Sequence, residues 1–145
     1  MMTPAITAMA FDFGTKRIGI AVGQSITGTA SPLSILKARD GIPDWEVLEK
    51  LVREWRPSVF IVGMPFNMDG SENDMTSLAQ KFAQRLQGRF NIPCFTIDER
   101  LSSREARDLK KQLADQQGKK YNDKEAIDSL AAQLILENWF SVNAD

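Results

Sequence analysis

Residues 6–24, ITAMAFDFGTKRIGIAVGQ, determine the architecture that we expect for this chain. Two short apolar segments, 6–13 and 18–24, are rich in strand-forming residues, and the polar residues 14–17 (GTKR) between them are typical of a hairpin turn. Asp12 places a carboxylate inside the first of these strands. A charged group in a strand of the sheet needs a partner or a metal, because burying it alone is costly.

Beyond this hairpin, hydrophobic periodicity and turn residues predict the remaining elements. The predicted strands are 6–13, 18–24, 28–37, 59–62 and 92–97, and the predicted helices lie between Pro43 and Pro57 and at 75–86, 102–113 and 122–140. Three leading strands form an antiparallel meander, and the later strands join in parallel through right-handed crossovers. We therefore predict an α/β fold in one domain, residues 1–145, with a mixed five-stranded sheet flanked by helices on both faces.

The composition excludes several classes of enzyme. The chain has no histidine, which removes the Ser-His-Asp and Cys-His arrangements and the usual zinc ligands. Hydrolytic chemistry must then depend on carboxylates, whose oxygens favour Mg²⁺ or Mn²⁺. A single cysteine, Cys94, suits a reducing compartment, and no apolar run is long enough for a membrane span. We expect a cytoplasmic protein without a targeting segment.

Three acids are candidates for catalysis and metal binding, and each has a structural alternative. Asp12 can instead pair with Lys16 or Arg17 at the hairpin. Glu99 follows the fifth strand, where ligand groups gather in open α/β sheets, but it can also be an exposed residue before a helix. Asp128 lies on an apolar face of the last helix, although it can also stabilise the helix macrodipole from the first turn.

Convergence of these acids would create repulsion that divalent cations relieve. Two such ions can support phosphodiester hydrolysis without a histidine base. Residues 100–124 carry eight basic and four acidic residues, although the whole chain has a net charge of −1. This local excess favours an anionic partner, or else a solvated helix and loop. The cations expected near the site as phosphate ligands are Lys16, Arg17, Arg100 and Arg104.

Four motifs in order make the chain resemble the YqgF (RuvX) family. They are DFGTKRIGIA at 12–21, VGMP at 62–65 with Asn67 and DG at 69–70, DERLS at 98–102, and Asp128 before Ala131 and Ala132. The resemblance implies an RNase H-like fold, similarity to RuvC-type Holliday junction resolvases, and metal-dependent nuclease activity. It also implies processing of the 5′ end of precursor 16S ribosomal RNA, and acidic positions at Asp12, Glu99 and Asp128. RuvC-type resolvases carry their second acid where this chain has Gly63.

Other functions remain open from the sequence. The DFGT turn also resembles the phosphate loop of sugar kinases and actin, but those proteins clamp ATP between two such domains. A noncatalytic nucleic-acid-binding or ribosome-assembly factor is a further alternative. Resolution of branched DNA would require a dimer, whereas we expect a monomer or a weak homodimer. The turn-rich segment 63–74 either shapes a substrate cleft or only connects two elements.

Overall fold

The computed structural model describes residues 6–98 and 124–143, with side chains from residue 130 onward in the last helix. The strands are β1 (Thr7–Asp12), β2 (Arg17–Gln24), β3 (Thr29–Arg39), β4 (Ile42–Pro43), β5 (Val59–Met64) and β6 (Cys94–Asp98). The helices are α1 (Trp45–Trp55), α2 (Asp74–Phe90) and α3 (Lys124–Val142). The helix predicted at 102–113 lies outside the described residues.

The strands form one mixed sheet in the order β4-β3-β2-β1-β5-β6. The β1–β2, β2–β3 and β3–β4 pairs are antiparallel. The β1–β5 and β5–β6 pairs are parallel. The predicted mixed sheet is confirmed, and β6 lies two places from β1.

The predicted strand count was one too low, because β3 and β4 form a short hairpin that we did not expect. Asp40 and Gly41 have φ angles of 52° and 83°, which reverse the chain tightly. A Cβ on Gly41 would lie 2.7 Å from Cζ of Phe13, so only glycine fits beneath that ring. Pro43 therefore ends a strand, and Asp44 caps α1 by accepting a hydrogen bond from the Glu46 amide at 3.1 Å.

Helices cover both faces of the sheet, as predicted. On one face, the odd-numbered β1 side chains Met9 and Phe11 pack with Leu48 of α1 and with Phe82 and Leu86 of α2. On the other face, α3 packs against small residues of β1. The core on that side includes Ala8, Ala10, Ile61, Ile135, Leu136 and Phe140. Alternation along β1 thus separates two cores.

Local signals set the ends of α2. Asn73 and Thr76 form a capping box, in which each side chain bonds the other residue's backbone amide. Asn91 ends the helix in the left-handed conformation that asparagine tolerates. None of the helices in the described part of the chain combines the length and apolar character needed to cross a bilayer.

Candidate active site at the carboxyl edge of the sheet

The three parallel strands end at one edge of the sheet. β1 ends at Asp12, β5 at Met64 and β6 at Asp98. Loops 13–16 and 65–73 follow the first two of these ends. Carboxyl edges of parallel strands are where α/β proteins gather ligand groups, so we describe this edge as the candidate site.

Asp12 lies at this edge between two strand positions that are occupied by glycine. Its cross-strand partner in β2 is Gly19. On the other side, Phe11 pairs with Val62 of β5, and one step further along this register brings Asp12 level with Gly63. Both lateral neighbours therefore lack side chains. Asp12 is half-buried, and it shares a face of the sheet with Ala8 and Ala10.

That face of the sheet is the one covered by α3, the helix that contains Asp128. A Cβ on Gly23 would lie 2.9 Å from Phe140 Cε2, so the C-terminal turn of α3 sits over the end of β2 that is far from Asp12. The buried residues Ala131 and Ala132 precede that turn. The N-terminal half of α3, which contains Asp128, precedes these residues in the chain. The side chain of Asp128 is outside the described residues.

The other predicted acid, Glu99, also lies outside the described residues, as do Arg100 and Arg104. The structure does describe β6, the strand that precedes these residues in the chain. Asp98, the last residue of β6, pairs with Met64, and Ile97 packs with the core beneath α3. β6 is two strands from β1, which corresponds to about 10 Å.

Among the described residues, no group of three histidine, cysteine, aspartate or glutamate side chains forms a metal site. Only one member of the predicted trio, Asp12, has a described side chain. Its hard carboxylate oxygens and its two glycine neighbours, Gly19 and Gly63, are compatible with one ligand to Mg²⁺ or Mn²⁺. The trio itself remains a prediction.

The predicted phosphate ligands Lys16 and Arg17 follow a turn with a fixed backbone. The Ala38 amide donates to the Lys16 carbonyl at 2.8 Å, and the Gly41 amide donates to the Thr15 carbonyl at 3.0 Å. These bonds tie loop 13–16 to the β3–β4 hairpin. The side chain of Lys16 is exposed, and Arg17 is half-buried.

Lys37 is a cation at this edge that the sequence analysis missed. It is the cross-strand partner of Arg17, and directly opposed residues point to the same face. Arg17 is two residues from Gly19 along β2, so Arg17 and Lys37 share the face of Asp12. The register of β2 with β3 shifts between Ile20 and Ala21, and no local pattern in the sequence reveals such a shift.

Loop 65–73 is held by its own side chains. Asp69 Oδ1 accepts from the Ser71 amide at 2.8 Å and from its hydroxyl at 2.6 Å. Asn67 Nδ2 donates to Ser71 Oγ at 3.0 Å, and the buried Thr76 hydroxyl donates to the Pro65 carbonyl at 2.6 Å. These hydrogen bonds give the loop after β5 a defined conformation at the carboxyl edge.

Comparison with known proteins adds to this geometry. Residues 6–142 match the model of the RuvX family, described as "Holliday junction resolvase". A protein of Histophilus somni (strain 2336), named "Putative pre-16S rRNA nuclease", is 54% identical over 140 residues, which cover 97% of each chain. A Haemophilus influenzae (strain PittGG) protein of the same name is 56% identical over 135 residues, covering 93% of this chain and 95% of the relative.

Solved structures share the fold at low identity. Thermus thermophilus RuvC in complex with a Holliday junction substrate aligns with a TM-score of 0.56 and 15% identity, covering 94% of each chain. The fowlpox virus resolvase in complex with Holliday junction DNA aligns with a TM-score of 0.60 and 13% identity, covering 97% of this chain and all of the other. The sheet described above is thus the RNase H-like fold of RuvC-type proteins.

Proposed function

The chain belongs to the RuvX family, and on that premise we propose that it is a metal-dependent endonuclease that hydrolyses phosphodiester bonds in the 5′ region of precursor 16S ribosomal RNA. One observation carries the proposal. The carboxylate of Asp12 stands at the carboxyl edge of the sheet between Gly19 and Gly63, on the face covered by α3.

Asp12, Glu99 and Asp128 are the residues proposed to hold Mg²⁺ or Mn²⁺. Two elements that lead to this trio support it, since α3 covers the face of the sheet that carries Asp12, and β6 ends at the same edge. Side chains alternate along a strand, and Ile97 faces α3; the proposal requires Glu99 to continue that alternation. When bound, a divalent cation would activate water and neutralise charge on the phosphate.

The chain's own cations are proposed to bind and orient the substrate backbone. Arg17 and Lys37 share the face of Asp12, and Lys16 is exposed at the adjacent turn. Arginine can grip a phosphate with two parallel hydrogen bonds, whereas lysine acts as a point charge. We assign Arg100 and Arg104 the same role.

Two substrates have specific support. RNA is favoured by the names of relatives that share more than half of their residues with this chain. A four-way DNA junction is the second candidate, because the family description and the structural neighbours refer to such junctions. Symmetric junction cleavage needs two sites in a dimer. We propose a cytoplasmic protein that is a monomer or a weak homodimer, which measurement of the molar mass in solution would test.

The test of the proposed function is the Asp12→Asn variant. With Mg²⁺ present, we expect cleavage of precursor RNA to fall by about 100-fold or more, because the amide removes a charged metal ligand. Glu54→Gln is the matched control, since Glu54 is an exposed carboxylate on α1, and it should cleave like the wild type. Both variants are assayed on precursor RNA and on a synthetic four-way junction. Unchanged cleavage by Asp12→Asn would refute the assignment.

Metal binding has a readout that does not depend on activity. A ligand that binds only the folded state raises the unfolding temperature. Mg²⁺ or Mn²⁺ should therefore raise the thermal midpoint of the wild type and of Glu54→Gln, but not that of Asp12→Asn. An equal rise in Asp12→Asn would show that the ions bind elsewhere, which is also the outcome expected for a noncatalytic RNA-binding factor.

A further inference from the structure

A row of cations lies on α2, away from the candidate active site. Lys81, Arg85 and Arg89 are exposed and follow one another at intervals of four residues. Residues four apart share a helix face and are separated by about 6 Å along the axis. We call these three residues the basic stripe. The helix has one acidic residue, Asp74, in its first turn.

The last residue of the basic stripe lines a groove between α1 and α2. The groove has a volume of about 250 Å³ and is lined by Trp45, Glu49, Val52, Arg53, Arg89 and Phe90. The Arg89 guanidinium carbon is 4.3 Å from the centroid of the Trp45 ring. This cation–π contact holds the flat guanidinium in place, so less conformational entropy is lost when its N–H groups bind an anion.

Within the described part of the chain, the cations of this surface outnumber the carboxylates, although Glu49 also lines the groove. Within residues 6–98 and 130–143, no carboxylate forms an ion pair with Arg53 or with any residue of the basic stripe. Like charges four residues apart on a helix repel each other. An exposed helix that serves only solubility usually mixes both signs. The unpaired row is therefore suited to a partner that carries regularly repeated negative charges.

We propose that the basic stripe and Arg53 bind the sugar–phosphate backbone of a single-stranded segment of the nucleic acid, outside the cleavage site. The proposal rests on the proposed function in taking the substrate to be nucleic acid. α2 begins at the carboxyl edge, directly after loop 65–73, and Lys81 lies about 10 Å along it. The bound segment would thus leave the candidate active site across this loop and follow α2 toward Arg89.

The test is a binding measurement on the full chain without divalent metal, so that no cleavage occurs. A fluorescent single-stranded RNA of about 20 nucleotides is titrated at several salt concentrations. For the double variant Lys81→Gln/Arg85→Gln, we expect the affinity to fall by about fivefold to tenfold. The slope of log K against log salt should decrease by about 1.4, since each phosphate contact to a single strand contributes about 0.7.

The matched control is Lys50→Gln/Arg56→Gln, which removes the same charge from exposed residues outside the groove. Its affinity and salt slope should stay close to those of the wild type. Arg89→Lys keeps the charge but loses the flat group over Trp45, and it should bind the RNA more weakly than the wild type. Thermal midpoints of all variants establish that they are folded.

Two results would overturn the inference, namely an unchanged salt slope in the Lys81/Arg85 double variant and an equal decrease in the control. Failure of the proposed function gives a different pattern. In that case the wild type would not cleave RNA with Mg²⁺, while the stripe variants would still lose affinity in metal-free buffer.

Discussion

The position of Asp12 shows how a carboxylate is accommodated in a strand of this sheet. Its neighbours along the chain, Phe11 and Phe13, point to the opposite face and are buried in the core beneath α1 and α2. Its neighbours across the sheet are glycines, Gly19 and Gly63. The same strand thus contributes buried aromatic side chains to one face of the sheet and a half-buried acid to the other.

Cys94 provides a prediction at this scale. Burial raises the pKa of its thiol from an ordinary 9.0 to about 12. At pH 8 the thiolate fraction of Cys94 should be about a thousandfold smaller in the folded protein than in the unfolded chain, because its pKa is higher in the folded protein. Only the thiolate reacts readily with alkylating agents. We expect iodoacetamide to modify Cys94 at least about 100-fold more slowly in the native protein than in urea at the same pH, as followed by mass spectrometry.

The same shift has a consequence for stability. The unfolded chain loses this proton near pH 9, whereas the folded chain keeps it to about pH 12. The contribution of Cys94 to stability is therefore complete below pH 9 and is lost as the pH rises toward 12. Equal alkylation rates in the native and unfolded states at pH 8 would contradict the assigned pKa.

Among the elements of the fold, the two loops at the candidate site are each held by hydrogen bonds to a neighbouring element. Loop 13–16 is tied to the β3–β4 hairpin, and a Cβ on Gly14 would lie 2.5 Å from the Arg17 carbonyl oxygen. Loop 65–73 is tied to α2 through the capping box. Each loop thus has one rigid neighbour that determines where its polar groups point.

Thr76 is the residue that joins loop 65–73 to α2. It is fully buried, and its hydroxyl donates to the Pro65 carbonyl and accepts from the Asn73 amide. Thr76→Val keeps the shape but leaves both partners without this bond. We expect a loss of about 1–3 kcal/mol in the free energy of unfolding, measured with urea. Thr76→Ser keeps the hydroxyl and should lose clearly less; equal losses would mean that packing, and not hydrogen bonding, is responsible.

In the described molecule as a whole, helices cover both faces of the sheet, and the two faces differ in the size of the side chains that pack there. α1 and α2 cover one face with large aromatic and aliphatic residues, including Phe82. α3 covers the other face, where the buried hydrophobic residues of β1 are Ala8 and Ala10, and Glu137 of α3 accepts a hydrogen bond from the Ala30 amide of β3 at 3.3 Å. Small strand residues let this helix approach the sheet closely.

The seating of α3 can be tested at its C-terminal turn. Phe140 is 6% exposed and lies over Gly23. Phe140→Ala should lower the free energy of unfolding by about 3 kcal/mol or more, because it creates a cavity beneath the helix. Val142 lies two residues further on and is 70% exposed, so Val142→Ala should change stability by no more than about 0.5 kcal/mol. Chemical denaturation measures both, and similar losses would show that this turn of α3 is not anchored on the sheet.

The amino-acid sequence alone predicted the hairpin of β1 and β2, the mixed sheet, and the helices on both faces. The hairpin and the helix ends depend on contacts between near neighbours in the chain, which periodicity and capping residues report. The order of the strands and helices then restricts how the later strands join the sheet. It also placed Asp12 in the first strand. The acids Glu99 and Asp128 remain predictions from motif and position, since their side chains are outside the described residues.

The contacts between residues that are distant in the chain became known from the three-dimensional structure. The β2–β3 register placed Lys37 beside Arg17, and a two-residue strand, β4, fixed loop 13–16. Packing of α1 on α2 brought Trp45 to Arg89. The physical reason is that strand register and helix packing are set by side chains that are far apart in the chain, and a local pattern carries no information about their pairing.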